Sequence, residues 1–365
     1  MWRNLHRRGL TIPSDYIVQF STDPNLEDFL AQELESKLGF TVAVKEPTNK
    51  GVISCKINPE QTLTILKHPP TLWTVKKARI HLFTRLFNTS TPFESVISTE
   101  TEIAARFLQV LKISEINCRI ITRQQLILPR RQILGLIKQI LKKNDIDLKF
   151  QRHLPDYIIN LTPSKCRGFV EIGKIFRPHS LVKVHHTPLS PPAAYALYSL
   201  ARQFQPQNKC VLLDPMCGNG TLLFISSLEA RRTGKEFYGI GIDQDVNAIT
   251  NARENLRDFS RDIILSVGKI EQFDPSSLPI QPTHILTHPP YGFAPAIDSL
   301  ALEEIYDALF QVFTKFPDSV YGMVTPHQTL VSHLVQKYPI RTVILRPFQQ
   351  KTLSSFLWVG QYSQK

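Results

Sequence analysis

The sequence has no CxxC pair. Its five cysteines (Cys55, Cys118, Cys166, Cys210 and Cys217) are scattered, which argues against a zinc ribbon and against a disulfide framework. A reducing, cytoplasmic compartment is expected. No apolar run approaches the length of a membrane span, and no segment reads as a signal peptide, so no membrane partner is expected. No metal, phosphate-loop or nucleophile pattern occurs before residue 190. The His185-His186 pair stands alone in a proline-rich stretch, so no metal is expected. Acidic residues are scarce in the first part of the chain: residues 1–200 hold 28 Lys and Arg against 16 Asp and Glu, whereas residues 201–365 hold 15 of each.

What is present is enough for real cores. At 365 residues and 42% hydrophobic, the chain has room for two or three domains and is not a disordered polymer. The whole net charge of +12 resides in the first 200 residues. A basic part joined to a neutral part suggests a polyanion grip beside a separate chemical module.

Along the chain, residues 15–97 read as a ferredoxin-like subdomain: strand Tyr16–Phe20, helix Leu26–Leu34, strands Thr41–Val44 and Gly51–Cys55, helix Gln61–Leu66 and strand Arg79–Leu86. Residues 98–175 read as a second α/β unit. It contains helix Glu102–Leu111, strand Ile116–Thr122, an amphipathic helix Gln132–Lys143, and strands Asp156–Leu161 and Cys166–Ile172. This unit concentrates Arg119, Arg123, Arg130, Arg131, Lys138, Lys142, Lys143 and Arg152, the candidate nucleic-acid contacts. Residues 176–192 read as a linker, and 193–365 as the module that carries the chemistry.

There the strand Cys210–Leu213 ends in Asp214, followed by Pro215-Met216-Cys217-Gly218-Asn219-Gly220-Thr221 and a helix, Leu222–Arg232. A carboxylate at a strand end, a tight Gly-x-Gly turn and a helix suit a nucleotide-like ligand at the crevice of an open parallel sheet. The turn is not G-x-G-x-x-G and no Lys-Ser/Thr follows it, which disfavours dinucleotide and P-loop readings. One strand later, Phe237–Asp243 ends in an acid placed to bind ribose hydroxyls or to cap the helix Asn247–Leu256. Two further strands, Asp262–Val267 and Pro282–Thr287, follow. The second leads into His288-Pro289-Pro290-Tyr291-Gly292, a rigid loop with aimed carbonyls and an aromatic face for a planar base. Arg341–Arg346 and Ser355–Gly360 read as a closing antiparallel pair.

With these residues in place, the second half resembles class I S-adenosylmethionine-dependent methyltransferases, and more narrowly the THUMP-domain RNA guanine-N2 methyltransferases. The resemblance rests on Asp214-Pro215-Met216-Cys217-Gly218-Asn219-Gly220-Thr221, on Gly241-Ile242-Asp243 with Ala252-Arg253-Glu254-Asn255, and on Pro289-Pro290-Tyr291-Gly292. It implies an α/β protein with a ferredoxin-like plus THUMP α/β module, then a Rossmann-fold methyltransferase domain with a seven-stranded mixed sheet. It implies S-adenosylmethionine as cofactor, held by Asp214, Met216, Cys217, Gly218, Asn219, Gly220, Thr221, Asp243, Gln244, Lys269 and Ile270. His288, Pro289 and Tyr291 would act on the target amine, with Pro290 and Gly292 shaping the base pocket. The substrate would be the N2 amine of a guanosine in RNA, with tRNA favoured.

The pattern also departs from that family. His288 stands where Asn or Asp is usual; a neutral imidazole accepts one hydrogen bond and an imidazolium none. Activity is therefore expected to fall as pH drops through the His288 titration, between 8.5 and 5.5. Gly268-Lys269-Ile270 stands where an acid usually holds the adenine amine, with Glu271 as a nearby substitute. The H-x-R-G-Y segment is missing from 176–187. The competing readings are a degenerate paralogue that binds RNA without turnover, and an amino-methyltransferase acting on rRNA or DNA.

Overall fold

The computed structural model describes residues 16–39, 51–58, 61, 72–86, 93–110, 115–122, 130–150, 157–162, 165–171, 189–206, 208–292, 299–350 and 352–363. The expected strand Thr41–Val44, most of the helix Gln61–Leu66, Arg123, Arg152 and residues 176–188 with His185 and His186 lie outside them. By contacts the chain divides into two units. One is drawn from residues up to 177, the other from 178 onward together with 22–30 and 47–51.

Among the described residues, the first unit is built on one seven-stranded sheet. Its strands are β1 (Tyr16–Ser21), β2 (Val52–Ile57), β3 (Lys77–Leu86), β4 (Glu115–Thr122), β5 (Asp147–Phe150), β6 (Tyr157–Thr162) and β7 (Lys165–Glu171), in the order β2-β1-β3-β7-β6-β4-β5. The strands read as two separate subdomains therefore share a single sheet, joined where β3 pairs antiparallel with β7. β5 is an addition to the sequence reading. Four residues long, it is too short to show a period, and it is held by parallel pairing with β4. The helix Phe93–Val110 starts nine residues before the expected Glu102.

The amphipathic pattern of the helix Arg130–Lys143 is realised: Ile133, Ile137, Ile140 and Leu141 are buried, while Arg131, Lys138, Lys142 and Lys143 are exposed. In the helix Glu27–Leu38, Glu33 is fully buried. Its carboxylate accepts from the Trp73 and Thr74 amides at 2.7 and 2.8 Å and from Lys37 Nζ at 2.5 Å. A buried carboxylate survives only with such saturation.

The second unit has its own seven-stranded sheet: β8 (Lys209–Asp214), β9 (Glu236–Asp243), β10 (Ile263–Val267), β11 (His284–Thr287), β12 (Val320–Thr325), β13 (Ile340–Gln350) and β14 (Leu353–Tyr362). The order is β10-β9-β8-β11-β12-β14-β13. The first five pair in parallel; β14 runs antiparallel to both β12 and β13. This is the expected mixed Rossmann-like sheet, including the closing antiparallel pair. β11 and β12 are buried at every position, as strands covered on both faces must be.

The helix Pro191–Arg202 begins inside the stretch read as linker. Ser190 caps it, accepting from Ala193 N, and prolines occupy its first turn. The helix Ser299–Thr314, the strand β12 and the helix Gln328–Lys337 complete the sheet's far half and were not read from the sequence. The signal existed: Leu302, Tyr306, Leu309, Phe310 and Phe313 recur at helical spacing and are all buried. Phe313 stacks on Tyr321 at 4.7 Å and on Trp358 at 6.0 Å, fixing this helix to β12 and β14.

In this order β8 and β11 are neighbours while the chain moves outward from them in both directions. That is the topological switch point, where open α/β sheets bind ligands beyond the strand ends.

Candidate active site

A cavity of about 450 Å³ opens at that switch point. Asp214 to Asn219 and Thr221 line it from the end of β8, and Asp243 to Asp245 from the end of β9. Gly268, Ile270 and Glu271 follow β10, and His288 to Tyr291 follow β11. Leu189, Leu222, Ala248 and Ile305 supply apolar wall. A mostly apolar cleft with a few converging polar groups is what a small-molecule site requires.

The glycine turn is fixed by its neighbours. Cys217 N donates to Ile242 O at 2.9 Å, Gly220 N to Cys217 O at 2.8 Å, and Asn255 Nδ2 to Asn219 O at 3.0 Å. Gly218 and Gly220 both take positive φ, +50° and +81°. Their roles differ. A Cβ on Gly218 would meet nothing within 4 Å, and the residue lines the cavity, so a ligand can approach its backbone. A Cβ on Gly220 would lie 2.7 Å from Leu256 Cδ1; Gly220 does not line the cavity and serves packing at the helix start.

Asp243 is not the cap of the following helix; Asp245 is, accepting from Asn247 N at 2.8 Å. Asp243 instead accepts from Gly218 N at 2.8 Å and from Asp245 N at 2.9 Å, one bond to each oxygen. Each oxygen keeps further accepting capacity, and Asp243 lines the cavity. Asp214 is buried, accepts from Thr287 Oγ1 at 2.8 Å and Met216 N at 3.3 Å, and is pushed up to about 7 by burial.

Lys269 is exposed and does not line the cavity; Gly268, Ile270 and Glu271 around it do. The chain after β10 turns into a short 3-10 segment, Ile270–Gln272, which brings Glu271 to the rim and carries Lys269 away. Gly292 also lies off the cavity. Its φ is +72° and its backbone packs against Leu302.

The His288–Tyr291 loop is held from outside the motif. His288 Nε2 lies 2.7 Å from Tyr291 Oη, with the rings edge to face at 4.8 Å. Tyr291 Oη donates to Gln350 Oε1 at 3.4 Å, and His327 Nε2 donates to the Tyr291 carbonyl at 3.1 Å. Thr325 Oγ1 accepts from His327 N at 3.0 Å and lies 2.7 Å from Tyr306 Oη. Thr287, Tyr306, Thr325, His327 and Gln350 were not singled out from the sequence. They belong to no motif, and only strand order brings them together.

Burial pushes the His288 imidazole down to about 4. The ring is therefore neutral and able to accept a hydrogen bond across the physiological range. This corrects the expected loss of activity between pH 8.5 and 5.5: the titration lies below that window.

Of the basic candidates, Arg131, Lys138, Lys142 and Lys143 project from the first unit's helix Arg130–Lys143. Arg119 lies in β4 and Arg130 at the helix start, with side chains outside the described set.

Residues 178–354 match the model of the UPF0020 family, described as RMKL-like, methyltransferase domain. This stretch is similar to a methyltransferase domain, and the cofactor that the resemblance implies is S-adenosylmethionine. The open approach to Gly218, the anchored Asp243 and the acid Glu271 at the third strand's end fit that group. Among solved structures, the chain resembles TrmN from Thermus thermophilus, at 16% identity and TM-score 0.67, over 95% of this chain and 99% of that one. It also resembles a protein assigned as an N6-adenine-specific DNA methylase from Listeria monocytogenes (13%, TM-score 0.65, 99% of both chains). A third, SMU.472, was solved with SAH (15%, TM-score 0.64, 97% and 100%). These likenesses are of fold. No curated protein matches the sequence. Among the described residues no group of three or more His, Cys, Asp or Glu could hold a metal, and no helix is long and apolar enough to cross a membrane.

Proposed function

We propose that the methyltransferase domain transfers a methyl group to the exocyclic N2 amine of a guanosine in RNA, with tRNA as the favoured substrate. The observation that carries this reading is a neutral hydrogen-bond acceptor, His288, in one cavity with the glycine turn and Asp243. When bound, S-adenosylmethionine supplies an electrophilic methyl group on its sulfonium. Asp243 takes the ribose, Glu271 the adenine amine, and the backbone at Gly218 the body of the cofactor. His288 and the Pro289 carbonyl accept hydrogen bonds from the target amine and aim its lone pair. Pro289 and Pro290 hold that carbonyl without competing donors. Catalysis is then mainly proximity and orientation.

The basic first unit serves as the RNA grip, in the manner of a THUMP module, with the exposed lysines of Arg130–Lys143 contacting phosphates. Cys55, Cys210 and Cys217, the cysteines whose side chains are described, are free and buried, in keeping with a reducing, cytoplasmic setting.

The test is methyl incorporation into bulk tRNA and rRNA followed by nucleoside mass analysis. N2-methylguanosine in tRNA supports the reading. N6-methyladenine in DNA or RNA would reassign the substrate. Cofactor binding with no incorporation into any nucleic acid, unchanged in His288→Asn, would mark a degenerate binding protein.

A further inference from the structure

The loop His288–Tyr291 has little means of holding its own backbone. Pro289 and Pro290 carry no N–H, so two of its four residues have no backbone donor. The loop therefore depends on donors from outside it. One such donor is His327, 36 residues further along the chain, whose Nε2 lies 3.1 Å from the Tyr291 carbonyl oxygen. A carbonyl oxygen only accepts, so Nε2 carries the proton and His327 is the donor.

His327 occupies a place where its own helix would be served by a different residue. It is the N-cap of Gln328–Lys337, the position at which Ser, Thr, Asp or Asn binds a free amide of the first turn. The His327 side chain makes no such cap bond. Two contacts set its direction instead. The His327 amide donates to Thr325 Oγ1 at 3.0 Å, and the ring stands edge to face against buried Tyr306, centroids 5.8 Å apart. Thr325 Oγ1 is itself 2.7 Å from Tyr306 Oη. The helix start thus forgoes a cap while the ring is braced against the loop. His327 does not line the cavity, whereas Tyr291 does.

We infer that His327 is a positioning residue: it clamps the Tyr291 peptide, and through it the aromatic face and the Pro289 carbonyl offered to the target base. The inference rests on the amine-methylation reading for its catalytic consequence, and on the hydrogen-bond geometry for the clamp itself. The clamp acts at the last carbonyl before Gly292, whose φ of +72° lets the chain turn away. Without it the Tyr291 peptide plane can rotate, and the ring moves with it.

The sequence permits a direct reading of the clamp. Tyrosine precedes glycine at three places, Tyr238-Gly239, Tyr291-Gly292 and Tyr321-Gly322. Full-length protein with ¹³C in the tyrosine carbonyls and ¹⁵N in the glycine amides gives three carbonyl–nitrogen correlations in NMR, and Tyr291→Phe identifies the middle one by its loss. His327→Ser can cap the helix but cannot reach the loop. It should move the Tyr291 carbonyl signal upfield with the other two in place, and lower kcat on bulk tRNA about tenfold with KM for S-adenosylmethionine unchanged. Its melting temperature should hardly change, because the gained cap offsets the lost bond. His327→Gln, whose side-chain amide donates at a similar reach, should restore both signal and rate. An unmoved Tyr291 signal in His327→Ser, an unchanged kcat there, or a His327→Gln as impaired as His327→Ser overturns the inference. A loss of kcat that only follows the melting temperature does the same. A protein that methylates no nucleic acid overturns the methylation reading instead, and the carbonyl signal still decides the clamp.

Discussion

Thr287 Oγ1 donates a 2.8 Å hydrogen bond to Asp214 Oδ1, tying the end of β11 to the end of β8 across the switch point. The two residues are 73 apart in sequence. The bond holds the glycine turn and the His288 loop, which follow these two ends, as walls of one cavity. It also favours the ionised form of Asp214, against burial that pushes the group up to about 7.

Cofactor affinity is therefore expected to depend on pH near neutrality. A cationic ligand prefers the carboxylate, and a group titrating near 7 is about tenfold more ionised at pH 8 than at pH 6. Calorimetry should show S-adenosylmethionine binding about tenfold weaker at pH 6 than at pH 8. Thr287→Val should move this dependence upward in pH, and Asp214→Asn should abolish it.

The two glycines of the turn should separate binding from stability. Gly218→Ala places a methyl group where the ligand approaches, so cofactor affinity should fall while thermal stability drops by only about 1 kcal/mol for the left-handed backbone. Gly220→Ala adds a clash with Leu256 to the same backbone cost, so it should lose roughly 2 kcal/mol or more. Equal losses in denaturant melts would refute this division.

With His288 titrating at about 4, kcat at saturating cofactor should stay level from pH 8.5 to 5.5 and decline toward pH 4 as the imidazole gains its second proton. His288→Ala should lower kcat about a hundredfold. A kcat that halves near pH 6.5 would show an imidazole in its ordinary range and contradict its desolvation.

His284, in β11, is fully buried. Its Nδ1 lies 2.8 Å from Thr283 Oγ1, and burial pushes the ring down to about 3. The unfolded chain protonates this ring below about 6.5 and the folded one does not, so the unfolded state binds more protons and stability falls with falling pH. By pH 4 the loss from this one group is about 3 kcal/mol. Asp214 works in the opposite sense over a similar window, because its folded value lies above the unfolded one. The comparison that isolates the histidine is His284→Leu: its stability should fall less between pH 6.5 and 4 than that of the unmodified protein.

If the first unit grips phosphates, the triple change Lys138→Gln, Lys142→Gln and Lys143→Gln should weaken binding of every RNA alike. It should also reduce the slope of log affinity against log salt by about 2. Weakened binding with an unchanged slope would place these lysines outside the contact.

The sequence by itself determined the local parts of this protein. Asp214-Pro215-Met216-Cys217-Gly218-Asn219-Gly220-Thr221 named its own turn, because a strand, a carboxylate and two glycines of positive φ are contiguous and need no distant partner. The amphipathic helix Arg130–Lys143 was equally legible from its period. The tertiary structure alone decided which distant side chains complete the site. Glu271 replaces Lys269 because a short 3-10 turn after β10 swings one to the cavity and the other away. His288 is neutral because its half-buried ring is desolvated beside Tyr291, and Gln350, Thr287 and His327 matter because the order β8-β11-β12-β14-β13 gathers them. Hydrogen bonding and desolvation act through space, and a sequence records only neighbours along the chain.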